Sequence, residues 1–152
     1  MATTVYTIGI YFNEDLTKVA LILKNRPKWQ AGRYNFPGGK MEENEAGVEC
    51  TIREFKEECT LNTKPFDWKQ IGVITNNWDY LVYILVGVHK PEHGELKKGE
   101  DQKVKWVNVN RLPKNRISNV KWLVEFALNT LNTESRESLI FGHFVYEPKN
   151  IT

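Results

Sequence analysis

Hydrophobic and polar positions alternate along several short stretches of the chain, and this pattern predicts many strands and two helices. Runs rich in Val, Ile, Leu and Tyr predict strands at residues 4–12, 18–23, 69–75, 80–89, 104–109 and 140–146. Apolar residues three and four positions apart predict amphipathic helices at residues 45–59 and 118–131. Strands and helices in this mixed order are typical of an α/β or α+β sandwich.

Length and composition fit one folded domain over residues 1–152. Of the 152 residues, 41% are hydrophobic, so the chain as a whole is not of the disordered class. It begins with no signal-like segment, and no apolar run approaches the ~18 residues that span a bilayer. Cys50 and Cys59 fall on opposite faces of one predicted helix, about 13 Å apart, too far for a disulfide. We therefore expect reduced thiols, a cytoplasmic location and no membrane partner.

The formal net charge of +2 hides an uneven distribution. Residues 42–58 hold seven carboxylates and two bases, a local charge of −5, which leaves +7 on the rest of the chain. The carboxylates are Glu42, Glu43, Glu45, Glu49, Glu54, Glu57 and Glu58. Because the total is close to zero, net charge gives no reason to expect nucleic acid as a partner.

Three of these carboxylates form a candidate metal site. Glu54, Glu57 and Glu58 are spaced i, i+3 and i+4, so they share one face of the predicted helix, where like charges repel. A divalent cation would remove that repulsion, and oxygen ligands of this kind suit Mg²⁺ or Mn²⁺. Arg53 can pair with Glu45 or brace a neighbouring carboxylate. The alternative from spacing alone is an acidic helix face in water.

The order of residues in this segment resembles a known family. Gly39, five residues, Glu45, seven residues and then R-E-F-K-E-E match the Nudix box, G-x5-E-x7-R-E-U-x-E-E-x-G-U. The chain is identified as a member of the Nudix hydrolase family, with similar features in R-Y-N-F-P-G-G-K before the box and in V-K-W-V-N-V-N-R-L-P after it. The resemblance covers residues 4–131 and implies an α/β/α sandwich with a mixed central sheet. Thr60 stands where the box has Gly, so we expect the helix to end later, with Asn62 left-handed.

The resemblance also implies roles for the residues of the box. Glu54, Glu57 and Glu58 would hold Mg²⁺, with Mn²⁺ as an alternative, and the Gly39 carbonyl would be a further ligand. Arg53 would support them through its ion pair. The general base would be Glu54 or a downstream carboxylate, for which Glu100 and its neighbour Asp101 are the candidates.

Members of this family cleave nucleoside diphosphates linked to a further group. For this chain we expect a nucleoside triphosphate or a damaged analogue, cut to the monophosphate and pyrophosphate, with dinucleoside polyphosphates second and ADP-ribose disfavoured. A nucleotide sensor that does not cleave is the alternative from another class. Dimers are common in the family, so a homodimer is a further expectation.

Basic and aromatic residues around the box are the candidates for substrate contact. Cations would neutralise a polyphosphate, and aromatic rings could stack on a base, although aromatics beside a core more often pack within it. The candidates are Arg26, Trp29, Arg33, Tyr34, Phe36, Lys40 and Tyr80. His89 and His93 cannot share a helix face as zinc ligands, because Pro91 lies between them.

Overall fold

The computed structural model describes residues 3–76, 79–99, 101–133 and 141–146. The strands are β1 (Thr4–Phe12), β2 (Lys18–Leu23), β3 (Tyr34–Asn35), β4 (Gly38–Lys40), β5 (Trp68–Asn76), β6 (Tyr80–Val88), β7 (Val104–Asn108) and β8 (Gly142–Val145). The helices are α1 (Gly47–Cys59) and α2 (Val120–Thr133), with short 3₁₀ turns at Pro65–Asp67 and Pro91–His93. Every predicted strand and helix is therefore present, within about three residues at each end, and the two short strands β3 and β4 are additional.

The strands form one mixed sheet with the order β3-β2-β1-β6-β5-β8. β1 and β6 are parallel neighbours at the centre of the sheet. β5 and the edge strand β8 are also parallel, and the other pairs are antiparallel. β4 adds to β1 and β7 adds to β2, so both lie at the side of the sheet that carries the hairpin β1–β2. Lys40, before α1, lies opposite Tyr6 near the start of β1, whereas Trp68, after α1, pairs with Gly87 beside Tyr11, so the segments before and after α1 lie at opposite ends of the sheet.

The two helices cover opposite faces of the sheet. Phe55, Cys59 and Trp68 pack with Tyr11 on the α1 face, while Leu123 and the rest of the inner side of α2 pack on the other. The predicted α/β/α sandwich is therefore confirmed. Both cysteines are buried free thiols. Within the described ranges no helix has the length and apolar character needed to cross a bilayer.

The predicted range of α1, residues 45–59, is correct at its C-terminal end and begins two residues too early. The helix starts after Ala46, which occupies the N-cap position. The expectation of a later end with Asn62 left-handed was wrong, because α1 ends at Cys59 and Thr60 itself is left-handed, with φ 58° and ψ 26°. The Thr60 N–H still closes the helix by donating to the Lys56 carbonyl at 3.2 Å.

Candidate functional site

The site forms where α1 packs against β1 and β4, two strands that pair with each other in the sheet. In the β1–β4 pair, Gly38 lies opposite Ile8 and Gly39 lies opposite Thr7. A Cβ atom at Gly38 would overlap the Thr7 carbonyl, and one at Gly39 would overlap the Glu54 carboxylate. Because glycine has no Cβ, the backbone of β4 can approach both neighbours closely. Glu54 is thereby held directly against the chain that precedes the helix.

Arg53 ties the segment before α1 to the carboxylates on the helix. Its Nε and Nη2 donate to the two Glu45 carboxylate oxygens at 2.8 and 3.0 Å, and its Nη1 donates to Glu54 Oε1 at 2.9 Å. Nη2 also donates to the Lys40 carbonyl at 3.1 Å. The hydrogen bonds from Arg53 lower the pKa of Glu45 to about 2. The Arg53–Glu45 ion pair implied by the resemblance is therefore present.

Glu54 and Glu58 form a desolvated pair of carboxyl groups. Burial raises the pKa of Glu58 to about 7, and the neighbouring charge of Glu54 adds to that rise. Burial also raises the pKa of Glu54, against the opposing charge of Arg53. The Gly38 N–H donates to Glu58 Oε1 at 2.9 Å, which fixes one face of that group. Two adjacent carboxyl groups whose pKa values are raised by burial are also a pair that a divalent cation would stabilise.

Glu57 is more exposed than Glu54 and pairs with Arg53. Its side chain is 40% exposed, against 14% for Glu54, and its Oε2 lies 3.5 Å from Arg53 Nη1. Among the described residues, His, Cys, Asp and Glu side chains form no group of three with metal-ligating geometry. The donor set nevertheless fits Mg²⁺, which needs only one or two carboxylate oxygens and completes its shell with waters and substrate phosphates. Glu54 and Glu58 would hold it, with Glu57 released from Arg53.

The predicted downstream base, Glu100, lies outside the described residues. Its neighbours fix the loop against the carboxyl end of α1, because the Gly99 N–H donates to the Glu58 carbonyl and the Lys97 N–H donates to the Cys59 carbonyl, both at 3.0 Å. The loop that follows β6 is thus tied directly to a predicted metal ligand.

Asp101, the second candidate for the base, is engaged by a predicted phosphate contact. Arg26 Nη1 donates to Asp101 Oδ2 at 2.6 Å, and both side chains are exposed. Besides Arg53, a second cation acts on the Glu54–Glu58 pair: the positive charge of Lys24 opposes the rise in the pKa of Glu58. Lys24 was missed because nothing in the sequence separates it from the other bases of the loop. Its position at the end of β2 brings it to the site.

The predicted aromatic contacts lie in different surroundings. Phe36 is 2% exposed and belongs to the core under α2, so the prediction that it contacts substrate is not supported. Trp29 is 64% exposed in the loop after β2. Tyr34 is half-buried on β3, and Lys105 Nζ lies 4.8 Å from the centre of its ring.

The remaining candidates lie on different elements. Arg33 is exposed just before β3, and Lys40 is exposed at the end of β4. Tyr80 pairs with Thr4 at the start of β1 and β6, and burial together with the nearby Tyr146 hydroxyl raises its pKa.

A buried polar network, missed in the sequence, supports the loop after β6. His93 is 1% exposed, and its Nδ1 accepts the Lys90 N–H at 3.2 Å and contacts the Tyr11 hydroxyl at 2.7 Å. Its Nε2 lies 3.0 Å from an oxygen of Asp67. His89 Nδ1 contacts the same Tyr11 hydroxyl at 2.8 Å. Long-range contacts of this kind leave no short motif.

A mixed sheet between two helices, with a carboxylate of one helix packed against a Gly-Gly strand, places the chain in the class of α/β/α sandwich domains. The model of the NUDIX domain matches residues 3–126, so the chain belongs to the Nudix hydrolase family. The chain is 26% identical over 115 residues to the m7GpppN-mRNA hydrolase of Saccharomyces cerevisiae. This match covers 73% of the chain but only 11% of that protein.

Solved structures share the fold. The MutT protein of Bacillus halodurans has a TM-score of 0.68 at 22% identity, covering 95% of this chain and 91% of that one. The NUDIX domain of Shewanella oneidensis NrtR, crystallised with ADP ribose, has a TM-score of 0.70 at 17% identity, covering 86% and 90%.

Proposed function

We propose that this chain is a Mg²⁺-dependent pyrophosphohydrolase that cleaves nucleoside diphosphates linked to a further group. The observation that carries the proposal is the desolvated Glu54–Glu58 pair, held against Gly39 and braced by Arg53. If the ion pairs of Arg53 served only to stabilise the fold, two adjacent carboxyl groups of raised pKa would not be needed on one helix. Strongly perturbed acids of this kind concentrate at functional sites.

The residues of the site would have two roles in the reaction, metal binding and proton transfer. Glu54, Glu57 and Glu58 would hold the magnesium ions, with the Gly39 carbonyl as a further ligand. A bound divalent cation supplies charge neutralisation on the phosphate oxygens and lowers the pKa of a coordinated water. Glu54, or the downstream Glu100, would accept the proton of the attacking water.

Positive charge around the site would position the substrate. Lys24 and Arg26 lie on the loop after β2, beside the Glu54–Glu58 pair and beside Asp101 respectively. A lysine acts on phosphate as a point charge, whereas an arginine can bind two oxygens of one phosphate. Lys24 is the better placed of the two, because Arg26 already pairs with a carboxylate.

Nucleoside triphosphates rank first as substrates, with release of the monophosphate and pyrophosphate, and dinucleoside polyphosphates rank second. The named relatives widen the range to be tested, since one is a hydrolase of capped messenger RNA and another was crystallised with ADP ribose. A sensor that binds nucleotide without cleavage is the competing function. The full set of box carboxylates favours catalysis. Two buried free thiols fit a reducing compartment, and we place the protein in the cytoplasm.

The test is turnover of a substrate panel with chromatographic identification of products. The panel contains canonical and oxidised nucleoside triphosphates, dinucleoside polyphosphates, ADP-ribose and a capped dinucleotide, each with Mg²⁺ or Mn²⁺. A Glu58→Gln variant should lose turnover by at least about 100-fold, while Glu43→Gln, an exposed acid ahead of α1, should retain it. No metal-dependent turnover of any compound would refute the enzyme in favour of the sensor. Turnover of ADP-ribose alone would overturn the substrate ranking.

A further inference from the structure

The last turn of α1 carries two of the predicted metal ligands and ends in carbonyl groups that the helix cannot pair. In any α-helix the last four carbonyls receive no N–H group from within the helix. Here the carbonyls of Glu58 and Cys59 accept N–H groups from a distant part of the chain, those of Gly99 and Lys97, both at 3.0 Å. The loop before β7 therefore closes the helix end that carries Glu58.

Alternate residues of this loop face the end of α1. His93 and Glu95 present carbonyls, which accept the Asn62 N–H at 3.0 Å and the Thr60 hydroxyl at 3.3 Å. The two N–H donors described above follow at the next odd positions. Because the partners run backwards along the chain as the loop advances, the two stretches of backbone are antiparallel. We call residues 93–99 the clasp.

Gly99 lies closer to the backbone of α1 than a residue with a side chain could. A Cβ atom at this position would overlap the Glu57 carbonyl oxygen and would lie 2.9 Å from the carbonyl carbon of Glu58. Backbone atoms cannot rotate away as the end of a flexible side chain can, so a larger residue must displace either the clasp or the helix end. Space at the contact therefore requires glycine here.

Glycine N–H groups hold Glu58 at both of its ends. The Gly99 N–H donates to its main-chain carbonyl, and the Gly38 N–H donates to its carboxylate Oε1 at 2.9 Å. Gly38 is itself fixed in the sheet, opposite Ile8 of β1. A shift of the Glu58 backbone would thus change how its carboxylate meets β4. The affinity of a metal site depends on such outer contacts, because they orient the ligands.

The clasp is also anchored away from Gly99. At its first residue, the buried His93 ring has Nδ1 2.7 Å from the Tyr11 hydroxyl and Nε2 3.0 Å from Asp67 Oδ2. In its middle, Leu96 is half-buried and packs on the α1-side core. The position of Gly99 is therefore set by the core as well as by the helix that it contacts.

We propose that Gly99 is a positioning residue of the metal site. Through the clasp it fixes the peptide unit between Glu57 and Glu58, and thereby the geometry in which their carboxylates meet a divalent cation. A role in catalysis rests on the proposed function, whereas coupling between the clasp and metal binding requires only that the carboxylates bind a cation. Glu100, the alternative base, follows Gly99 directly in the sequence. One residue would therefore connect the metal ligands to the candidate base.

The coupling must act in both directions. If the docked clasp favours metal binding, bound metal must favour the docked clasp by the same factor, because linkage is reciprocal. Hydrogen exchange of the parent, followed by NMR with and without saturating Mg²⁺, measures this. The Lys97 and Gly99 amides should exchange about ten-fold more slowly with Mg²⁺. The Leu16 N–H, which donates to the Asn13 carbonyl at 3.1 Å in the β1–β2 turn, should not change.

Gly99→Ala tests the contact itself. The added methyl group should weaken Mg²⁺ binding, measured by calorimetry without substrate, by about ten-fold. The matched control is Gly94→Ala in the same clasp, where a Cβ meets nothing within 4 Å but φ is 89°. The control should lower the melting temperature by about 3–6 °C and leave Mg²⁺ affinity like that of the parent. Loss of stability is thereby separated from loss of metal affinity.

Three outcomes would overturn the proposal: Gly99 exchange that saturating Mg²⁺ does not slow, unchanged Mg²⁺ affinity in Gly99→Ala, or equal losses of affinity in both variants. If Gly99→Ala does not fold, exchange in the parent decides. Turnover of the nucleotide panel is measured on the same samples. A parent that shows the Mg²⁺ effect at Gly99 but cleaves nothing would refute the proposed function and leave the clasp standing. Turnover in the parent with unchanged Mg²⁺ binding in Gly99→Ala would do the reverse.

Discussion

The raised pKa of Glu58 should make the stability of the metal-free protein fall as the pH rises. Most carboxylates in folded proteins have the opposite effect on the free energy of unfolding. Burial, with the charge of Glu54, raises that pKa from 4.5 to about 7. A folded-state pKa above the unfolded value contributes stability that is fully present below the unfolded pKa and is lost as the pH rises through the folded pKa. Without metal, the contribution of Glu58 to the free energy of unfolding should therefore fall between about pH 4.5 and pH 7.

The size of the effect follows from the same values. A difference of about 2.5 pH units at about 1.36 kcal/mol each gives a ceiling of about 3.4 kcal/mol. Glu54 competes for the same proton and Glu58 retains some solvent access, so both reduce the net effect. We expect a loss of about 1–2 kcal/mol across this window.

The assay is urea denaturation with a chelator at several pH values between about pH 5 and pH 8. In Glu58→Gln the amide stays neutral, so this slope should disappear and the variant should exceed the parent at about pH 8 by about 1–2 kcal/mol. The variant should also lose the stabilisation that Mg²⁺ gives the parent, since it has lost a ligand. Glu43→Gln, exposed ahead of the helix, should behave like the parent. If the parent and Glu58→Gln show the same pH slope, the assigned proton on Glu58 is wrong.

Three further changes test the geometry of the site. Gly39→Ala places a methyl group against the Glu54 carboxylate and should reduce Mg²⁺ affinity, measured by calorimetry, by about ten-fold or more; unchanged affinity would contradict the close packing. Lys24→Met should raise the KM for a nucleoside triphosphate by about ten-fold, whereas the matched Arg26→Met should change it by less than about three-fold; the reverse order would favour Arg26 as the phosphate contact. Thr60→Gly should raise the free energy of unfolding by about 0.5–1 kcal/mol, because glycine adopts the left-handed conformation without strain; a loss would show that the threonine hydroxyl matters more.

Local pattern predicted most of the fold because the long elements are strongly periodic. The strands at residues 4–12 and 18–23 were predicted to the residue, and their side chains divide between the two faces of the sheet. The short strands β3 and β4 were missed because two or three residues carry no period. They exist only through pairing with β2 and β1.

The wrong expectation at the carboxyl end of α1, that Asn62 would be the left-handed residue, has a physical cause. Thr60 is β-branched and its left-handed conformation is intrinsically costly, yet the Leu61 side chain that follows is fully buried in the α1-side core. Burial of one leucine is worth about 1.5–3 kcal/mol, which offsets the strain at the preceding residue. Packing therefore fixes where the helix ends, and a local propensity could not predict it.

Site residues were predictable only where the chemistry lies within one element. Glu54, Glu57 and Glu58 share a helix, so spacing alone placed them on one face. Lys24, which directly follows β2, is brought near Glu58 by the fold. His93 is held by contacts with Tyr11 of β1 and Asp67 of the turn before β5. Such contacts depend on strand order, which a sequence motif does not contain.

The distribution of charge in the site explains how the three neighbouring carboxylates of α1 are tolerated. A helix face with three carboxylates is unfavourable alone, and the metal-free site lowers that cost with the Arg53 guanidinium and a proton on the Glu54–Glu58 pair. A divalent cation would displace the proton and free Glu57 from Arg53, so that each metal ion gained makes the site less repulsive to phosphate. With metal bound, the acidic helix would attract the phosphate groups that it repels in the metal-free state.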